Sequence, residues 1–196
     1  MRINAAVQPP DYAVEHITRA LDSLGLADSQ IDWVPHALWL LPLATFGNVA
    51  LRDAQDLEDL LVKEIGKLQP MEMRLSAITP LPEDGDDSVW VGWDGDVEEM
   101  TKLAAAIPVW VRPFGFLLDR RSFKLRMRVA RVTPQTTVFD LERIVERLGH
   151  YQGPEWLVED VTLGRPRRNT AGVITDYDID GRVVLGASDS EASERS

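Results

Sequence analysis

The segment SFKLRMRVARV, Ser122–Val132, alternates basic and apolar side chains. Lys124, Arg126 and Arg128 fall on one parity, and leucine, methionine and valine fall on the other. Successive side chains of a β-strand point to opposite faces of its sheet. The alternation therefore predicts a strand over Phe123–Arg131, with an apolar face packed on the core and a cationic face directed elsewhere.

The cationic face stands out because the whole chain of 196 residues carries a formal net charge of −11. Broad nucleic-acid binding generally needs an extended positive field, so we expect no binding of duplex DNA. The positive charge is instead local, since residues 112–131 contain seven basic residues and one acidic residue. This distribution favours a confined anion-binding site.

The residue types exclude several kinds of chemistry. The chain has no cysteine, so it has no disulfide, no thiolate zinc site and no cysteine nucleophile. His16, His36 and His150 are far apart in sequence and show no metal-ligand spacing. We therefore predict neither a metal nor another cofactor. An opening MRINAAVQPP without a signal-peptide pattern, and no apolar run of ~18–20 residues, predict a cytoplasmic protein without a membrane partner.

Helical spacing of apolar residues alternates along the chain with strand-like segments. The pattern predicts about four helices and about seven or eight strands, and therefore an α+β fold. The order of these elements suggests two related α+β halves, and a hairpin is predicted to turn near Asp180–Gly181. We expect a single two-lobed domain over residues 1–186 and a disordered acidic tail over residues 187–196.

Four segments, in order along the chain, resemble the 2H phosphoesterase superfamily, specifically its bacterial RNA 2′,3′-cyclic phosphodiesterase (2′-5′ RNA ligase) branch. They are MRINAAVQPP (1–10), WVPHALWLLPLATFGNV (33–49), VWVGWDGD (89–96) and LLDRRSFKLRMRVARV (117–132). The resemblance extends from Met1 to about Gly186. It implies two mostly antiparallel sheets with helices on the outside and a cleft between the two lobes.

The two H-x-[ST] motifs that define this superfamily are absent. Alignment places Trp39-Leu40-Leu41 at the first motif, with an offset of one residue near Pro42, and Arg126-Met127-Arg128 at the second. In the family the histidines act as general base and acid on a 2′,3′-cyclic phosphate, which their pKa near ~6.5 permits. Arginine stays protonated and tryptophan accepts no proton. The resemblance thus implies a protein that is not an enzyme.

The same alignment implies a ligand site in the cleft. Arg126 and Arg128, with Lys124 one step further along the strand, would hold a phosphorylated ligand, because guanidinium groups bind phosphate oxygens in a bidentate manner. Trp39 and Leu41 would lie on the opposite wall, where the indole ring offers a surface for stacking a base. The expected ligand is a nucleotide, an RNA end or another phosphorylated small molecule.

Alternatives to such a site stay open. In one of them the cations simply face solvent or pair with Asp and Glu residues of the acidic lobe, and Trp39 and Leu41 pack in a core that closes the cleft. The protein would then be a structural or protein-interaction module that keeps only the fold. Residual cyclic phosphodiesterase activity is the other alternative, and it requires the alignment at Trp39 or Arg126 to be wrong.

Overall fold

The computed structural model describes residues 2–47, 49–118 and 123–187. Over these residues the chain forms two five-stranded sheets and four α-helices, and the strands pair in an antiparallel manner. The predicted α+β class is confirmed. Of the predicted tail, only Ala187 belongs to the described residues, so the prediction of disorder lies outside them.

Strands and helices alternate along most of the chain. In sequence order, the elements are β1 (Ile3–Val7), α1 (Asp11–Asp22), β2 (Ile31–Trp33), β3 (Leu41–Gly47), α2 (Leu51–Ile65), β4 (Met71–Pro80), β5 (Ser88–Gly95), α3 (Val97–Val111), β6 (Leu117–Leu118), β7 (Arg126–Val132), α4 (Val138–Leu148), β8 (Gln152–Val158), β9 (Asp160–Arg168) and β10 (Ile174–Val184).

The strands are distributed between a β1 sheet and a β7 sheet. The β1 sheet has the order β10-β9-β1-β3-β6, and the β7 sheet has the order β2-β7-β5-β4-β8. Helices α2 and α3 pack on the β1 sheet, whereas α1 and α4 pack mainly on the β7 sheet. The prediction of two halves that follow one another in sequence is wrong, because the chain crosses repeatedly between the sheets and each lobe takes strands from both ends.

Strand β7 has the two faces that the alternation predicted, but it is shorter. Met127 and Val129 are buried in the hydrophobic cluster that extends through both lobes. The strand begins at Arg126 and not at Phe123, because the backbone turns just before it, where the Arg126 N–H donates to the carbonyl of Lys124 over 2.8 Å. Lys124 therefore precedes the strand.

Strand β10 is continuous through the predicted hairpin turn. Gly181 lies at a register shift within the strand. The hairpin between β9 and β10 turns earlier, where the Asn169 side chain accepts hydrogen bonds from two backbone N–H groups and Gly172 adopts a φ of 79°. A tight turn needs an acceptor for its free N–H groups and a residue with positive φ. Asn169 supplies the first and Gly172 the second. The predicted turn near Asp180–Gly181 is wrong.

Helix α4 begins with a capping box. The Asp140 carboxylate accepts hydrogen bonds from the backbone N–H of Thr137 at 2.9 Å and from its hydroxyl at 2.7 Å, and the Gln30 amide reaches it at 3.1 Å. The backbone N–H bond of Thr137 is the main reason that the pKa of Asp140 lies below its usual value. These bonds tie the start of α4 to the segment before β2.

We expect Asp140→Ala to lower the free energy of unfolding by about 1–3 kcal/mol. The substitution removes a buried helix cap and leaves the donors of Thr137 and Gln30 without their acceptor. Since the folded-state pKa of Asp140 is lowered, its contribution is complete above the unfolded pKa of about 4 and disappears as the pH falls through the folded value. Urea unfolding over a pH series checks both points. Glu146→Ala, at an exposed position of the same helix, is the control. Equal losses in the two variants would contradict the prediction.

Candidate ligand-binding cleft

Arg126 and Arg128 lie on the face of the β7 sheet that points away from the hydrophobic cluster. In the register with β5, Arg126 is opposite Gly92 and Arg128 is opposite Trp90. The Arg126 guanidinium carbon lies 4.3 Å from the centroid of the Trp90 ring, a cation–π arrangement. The Arg126 side chain is only 17% exposed. The Trp90 ring therefore packs against one face of the Arg126 guanidinium.

The loop between β4 and β5, residues 81–87, contacts Lys124 and Arg126 and is called the acidic loop below. Lys124 Nζ donates to the Glu83 carboxylate. Arg126 Nη2 lies 3.3 Å from Glu83 Oε1 and 3.8 Å from Asp86 Oδ2. The hydrogen bond from Lys124 is the largest cause of the lowered pKa of Glu83. This is the pairing with acidic residues that the sequence left open.

The opposite wall of the cleft carries a hollow on the face of the β1 sheet. It is shallow and open to solvent. The register places Asn4 opposite Gly164, and Ala6 opposite Thr162, so these side chains share one face. The hollow is lined by Asn4, Ala6, Gln8, Leu40, Thr162, Gly164, Tyr177 and Ile179. The alternate residues of β1, Ile3, Ala5 and Val7, belong to the hydrophobic cluster.

Tyr177 connects the two walls electrostatically. Burial raises the pKa of its hydroxyl, whereas a hydrogen bond with Asn4 and the charges of Arg168, Arg2 and Arg128 act in the opposite direction. Arg128 belongs to the β7 sheet and Tyr177 to the β1 sheet. Arg128 therefore lies close enough to Tyr177 for its charge to lower the pKa of the hydroxyl. The positive charge around Tyr177 comes from both lobes.

The structure corrects the predicted position of Trp39 and Leu41. Trp39 is 3% exposed, and its Nε1 donates to the Val34 carbonyl over 2.9 Å. Leu41 is fully buried in the hydrophobic cluster. The residue of this segment that lines the hollow is Leu40, and the exposed Pro42 shares its parity. The offset of one residue arises because side chains at adjacent positions of an extended segment point to opposite faces.

Two pairs of side chains, one in each wall, offer no proton transfer near neutral pH. Leu40 and Pro42 are apolar, and arginine remains protonated at Arg126 and Arg128. His36 is exposed, packs on the ring of Trp39 at 4.3 Å between centroids, and is not among the residues that line the hollow. Within residues 2–47, 49–118 and 123–187, there is no cluster of side chains that could hold a metal ion. The geometry suits the binding of an anion.

The sequence reasoning missed the polar wall of the β1 sheet. Asn4 is 7% exposed, and its Oδ1 has no hydrogen-bond partner among the described residues. A signal was present, because Asn4 interrupts the apolar strand INAAV and Tyr177 falls within an alternating segment. Their convergence depends on the pairing of β1, β9 and β10, which one sequence does not reveal.

No model of a known protein family matches the sequence, and no curated protein matches it. Solved structures do match. The protein TT0787 of Thermus thermophilus has a TM-score of 0.70 and 19% identity, covering 95% of this chain and 98% of that one. LigT of E. coli in complex with 3′-AMP has a TM-score of 0.71 and 17% identity, covering 94% and 97%.

LigT has also been crystallised with NADP⁺, and that structure gives a TM-score of 0.71 and 17% identity over 94% of this chain and 98% of the other. At these identities the likeness shows the fold. The chain therefore has the two-lobed LigT fold, which is the fold that the resemblance to 2H phosphoesterases predicted. In the described part of the chain, no helix is both long enough and apolar enough to cross a membrane.

Proposed function

We propose that the cleft binds a phosphorylated ligand, such as a nucleotide or an RNA end, and does not convert it. The observation that carries this proposal is the convergence of cations on one gap. Arg126 and Arg128 extend from β7 on the side away from the core, and the charge of Arg128 acts on Tyr177 in the opposite wall. Guanidinium groups suit phosphate oxygens because they donate two parallel hydrogen bonds.

The polar wall of the β1 sheet supports a ligand that is larger than phosphate alone. Asn4, Gln8, Thr162 and Tyr177 provide amide and hydroxyl groups around the hollow. Such groups orient the uncharged part of a small molecule. The LigT structures that share this fold hold 3′-AMP, NADP⁺, ATP and phosphate, and three of these four ligands combine phosphate with hydroxyl-bearing sugars. We therefore favour a nucleotide over inorganic phosphate.

The absence of conversion follows from the side chains at the motif positions. A positioned general acid or base contributes typically ~10²–10⁴ in rate. We assign the positions of such groups to Leu40 and Arg126, and neither an apolar side chain nor a guanidinium exchanges a proton near neutral pH. We infer that the protein is not a phosphodiesterase.

A protein-interaction module is the second candidate, and one observation favours it. Val138 and Phe139, at the start of α4, are 67% and 77% exposed. Adjacent exposed apolar side chains of this size are a feature of protein contact surfaces. In that case the acidic loop would satisfy the cations of β7 permanently, and the cleft would bind no ligand.

Removal of single arginines tests the proposal. Hydrogen bonds to a charged group contribute roughly 1.5–3 kcal/mol each, so Arg126→Ala and Arg128→Ala should each weaken the binding of 3′-AMP by about one to two decades. Isothermal titration calorimetry at two salt concentrations measures the change. The losses should be smaller at high salt.

The control is Arg52→Ala, which removes the same charge from α2, where the side chain is 88% exposed. It should bind 3′-AMP as the wild type does. If all three variants bind equally well, the arginines of β7 do not contact the ligand. If the wild type binds no nucleotide at millimolar concentration, the interaction module becomes the better description.

A further inference from the structure

The carboxylate of Glu83 contacts two of the three cations that the sequence assigned to the ligand. It accepts a hydrogen bond from Lys124, and its Oε1 lies 3.3 Å from Arg126 Nη2. A carboxylate and a phosphate present the same kind of oxygen pair to a guanidinium group. We propose that Glu83 is an internal competitor for the ligand, and that its carboxylate holds the anion position until a phosphate displaces it. This inference rests on the proposed function of the cleft.

Arg126 is held ready for such an exchange. The Trp90 ring supports one side of its guanidinium at 4.3 Å, and Asp86 lies 3.8 Å from Nη2. Asp86 in turn accepts a hydrogen bond from Trp90 Nε1 at 2.8 Å. Release of Glu83 would therefore leave the arginine in place.

Glu83 satisfies Arg126 only in part. Its contact is with Nη2, whereas Nε of Arg126 is buried and has no hydrogen-bond partner among the described residues. A buried donor without a partner is costly. A phosphate has more acceptor oxygens than a carboxylate, so it can accept from more than one nitrogen of the guanidinium once the Glu83 side chain has left. This difference gives the ligand an advantage over the resident carboxylate.

The acidic loop is anchored through its backbone, so the exchange requires only the Glu83 side chain to move. It connects two paired strands, β4 and β5, whose last partners are Pro80 and Val89. Asp86 anchors the second half of the loop, because it also accepts from the backbone N–H of Ser88 at 2.9 Å. The Glu83 carbonyl accepts a hydrogen bond from the Asp86 N–H at 3.0 Å, so the backbone of the first half is held as well. The Glu83 side chain is 51% exposed and can leave the cations by rotation about its own bonds.

The test compares Glu83→Gln with Asp84→Asn. Both variants remove one negative charge from the acidic loop, but Asp84 makes no ion pair with Lys124 or Arg126 among the described contacts. Exposed ion pairs are weak, so loss of the competitor should tighten the binding of 3′-AMP and of inorganic phosphate by roughly twofold to fivefold. Asp84→Asn should bind both probes as the wild type does. Calorimetry at low salt measures the dissociation constants.

Acetylation of Lys124 provides a readout that needs no ligand. Its amine should react faster with acetic anhydride in Glu83→Gln than in the wild type or in Asp84→Asn, as followed by mass spectrometry of peptides. Glu83 has a side chain that is 51% exposed, so the substitution should leave the fold intact, which the thermal midpoint verifies.

The outcomes separate the two proposals. If the wild type and Glu83→Gln bind 3′-AMP equally well, or if Lys124 reacts at the same rate in both, the internal competitor is wrong and the proposed function remains. If neither variant nor the wild type binds either probe, the proposed function is wrong. The proposal of an internal competitor then fails with it, because there is no ligand for Glu83 to compete with.

Discussion

Alanine at Trp39 is expected to lower the free energy of unfolding by about 3–5 kcal/mol, the range typical of removing a large aromatic side chain from a core. Trp39 is 3% exposed and lies in the hydrophobic cluster. Its truncation also removes the hydrogen bond that Nε1 donates to the Val34 carbonyl at 2.9 Å. The loss of packing and the unpaired carbonyl act in the same direction.

Urea unfolding of Trp39→Ala and Trp39→Phe measures the effect, with Trp90→Ala as the matched control. Trp90 is partly exposed and stacks on Arg126, so its removal should cost less stability. Trp39→Phe should retain part of the packing and provide a value if the alanine variant does not fold. If Trp39→Ala is as stable as the wild type but loses nucleotide binding, Trp39 is a stacking surface of the cleft.

The second large effect concerns hydrolysis. The wild-type protein should convert nucleoside 2′,3′-cyclic phosphates no faster than a heat-denatured sample, because each missing acid or base costs ~10²–10⁴ in rate. Chromatographic separation of the 2′- and 3′-phosphate products measures the rate. The corrected positions define the variant that restores the motifs, with Leu40→His and Pro42→Thr in one wall and Arg126→His and Arg128→Thr in the other.

We expect only traces of activity in this fourfold variant. Catalytic side chains act when neighbouring residues fix their orientation, and the neighbours here have changed as well. Trp90 and Glu83, for instance, hold a guanidinium at the position that a histidine would occupy. Robust hydrolysis by the wild type that disappears in Arg126→Ala would contradict the account of the motif positions.

The faces of β7 could be predicted because its basic and apolar residues alternate strictly. Met127 and Val129 are buried, and Arg126 and Arg128 lie on the opposite face. The segment Trp39–Leu41 has no such alternation, because its three residues are all apolar, so its faces could not be predicted. A run without alternation does not indicate which residue faces the core. The error of one residue at the hollow follows from this lack of pattern.

Other features of the cleft depend on contacts between distant residues. Glu83 meets Lys124 across 41 positions of the chain, and Tyr177 meets Asn4 only because β9 lies between β1 and β10. Composition did show an acidic segment and a basic segment, but two opposite charge clusters do not by themselves specify a pair. The distribution of the strands between the two sheets could not be predicted either, because local sequence patterns indicate strands but not their pairing partners.

The most direct test of binding without conversion is a titration of a nucleoside 2′,3′-cyclic phosphate and of 3′-AMP into the wild-type protein, with the contents of the calorimeter cell separated by chromatography afterwards. We expect heat of binding, recovery of both ligands unchanged, and an affinity that falls by about one to two decades in Arg128→Ala. Formation of product would contradict this expectation, and so would the absence of heat at millimolar ligand.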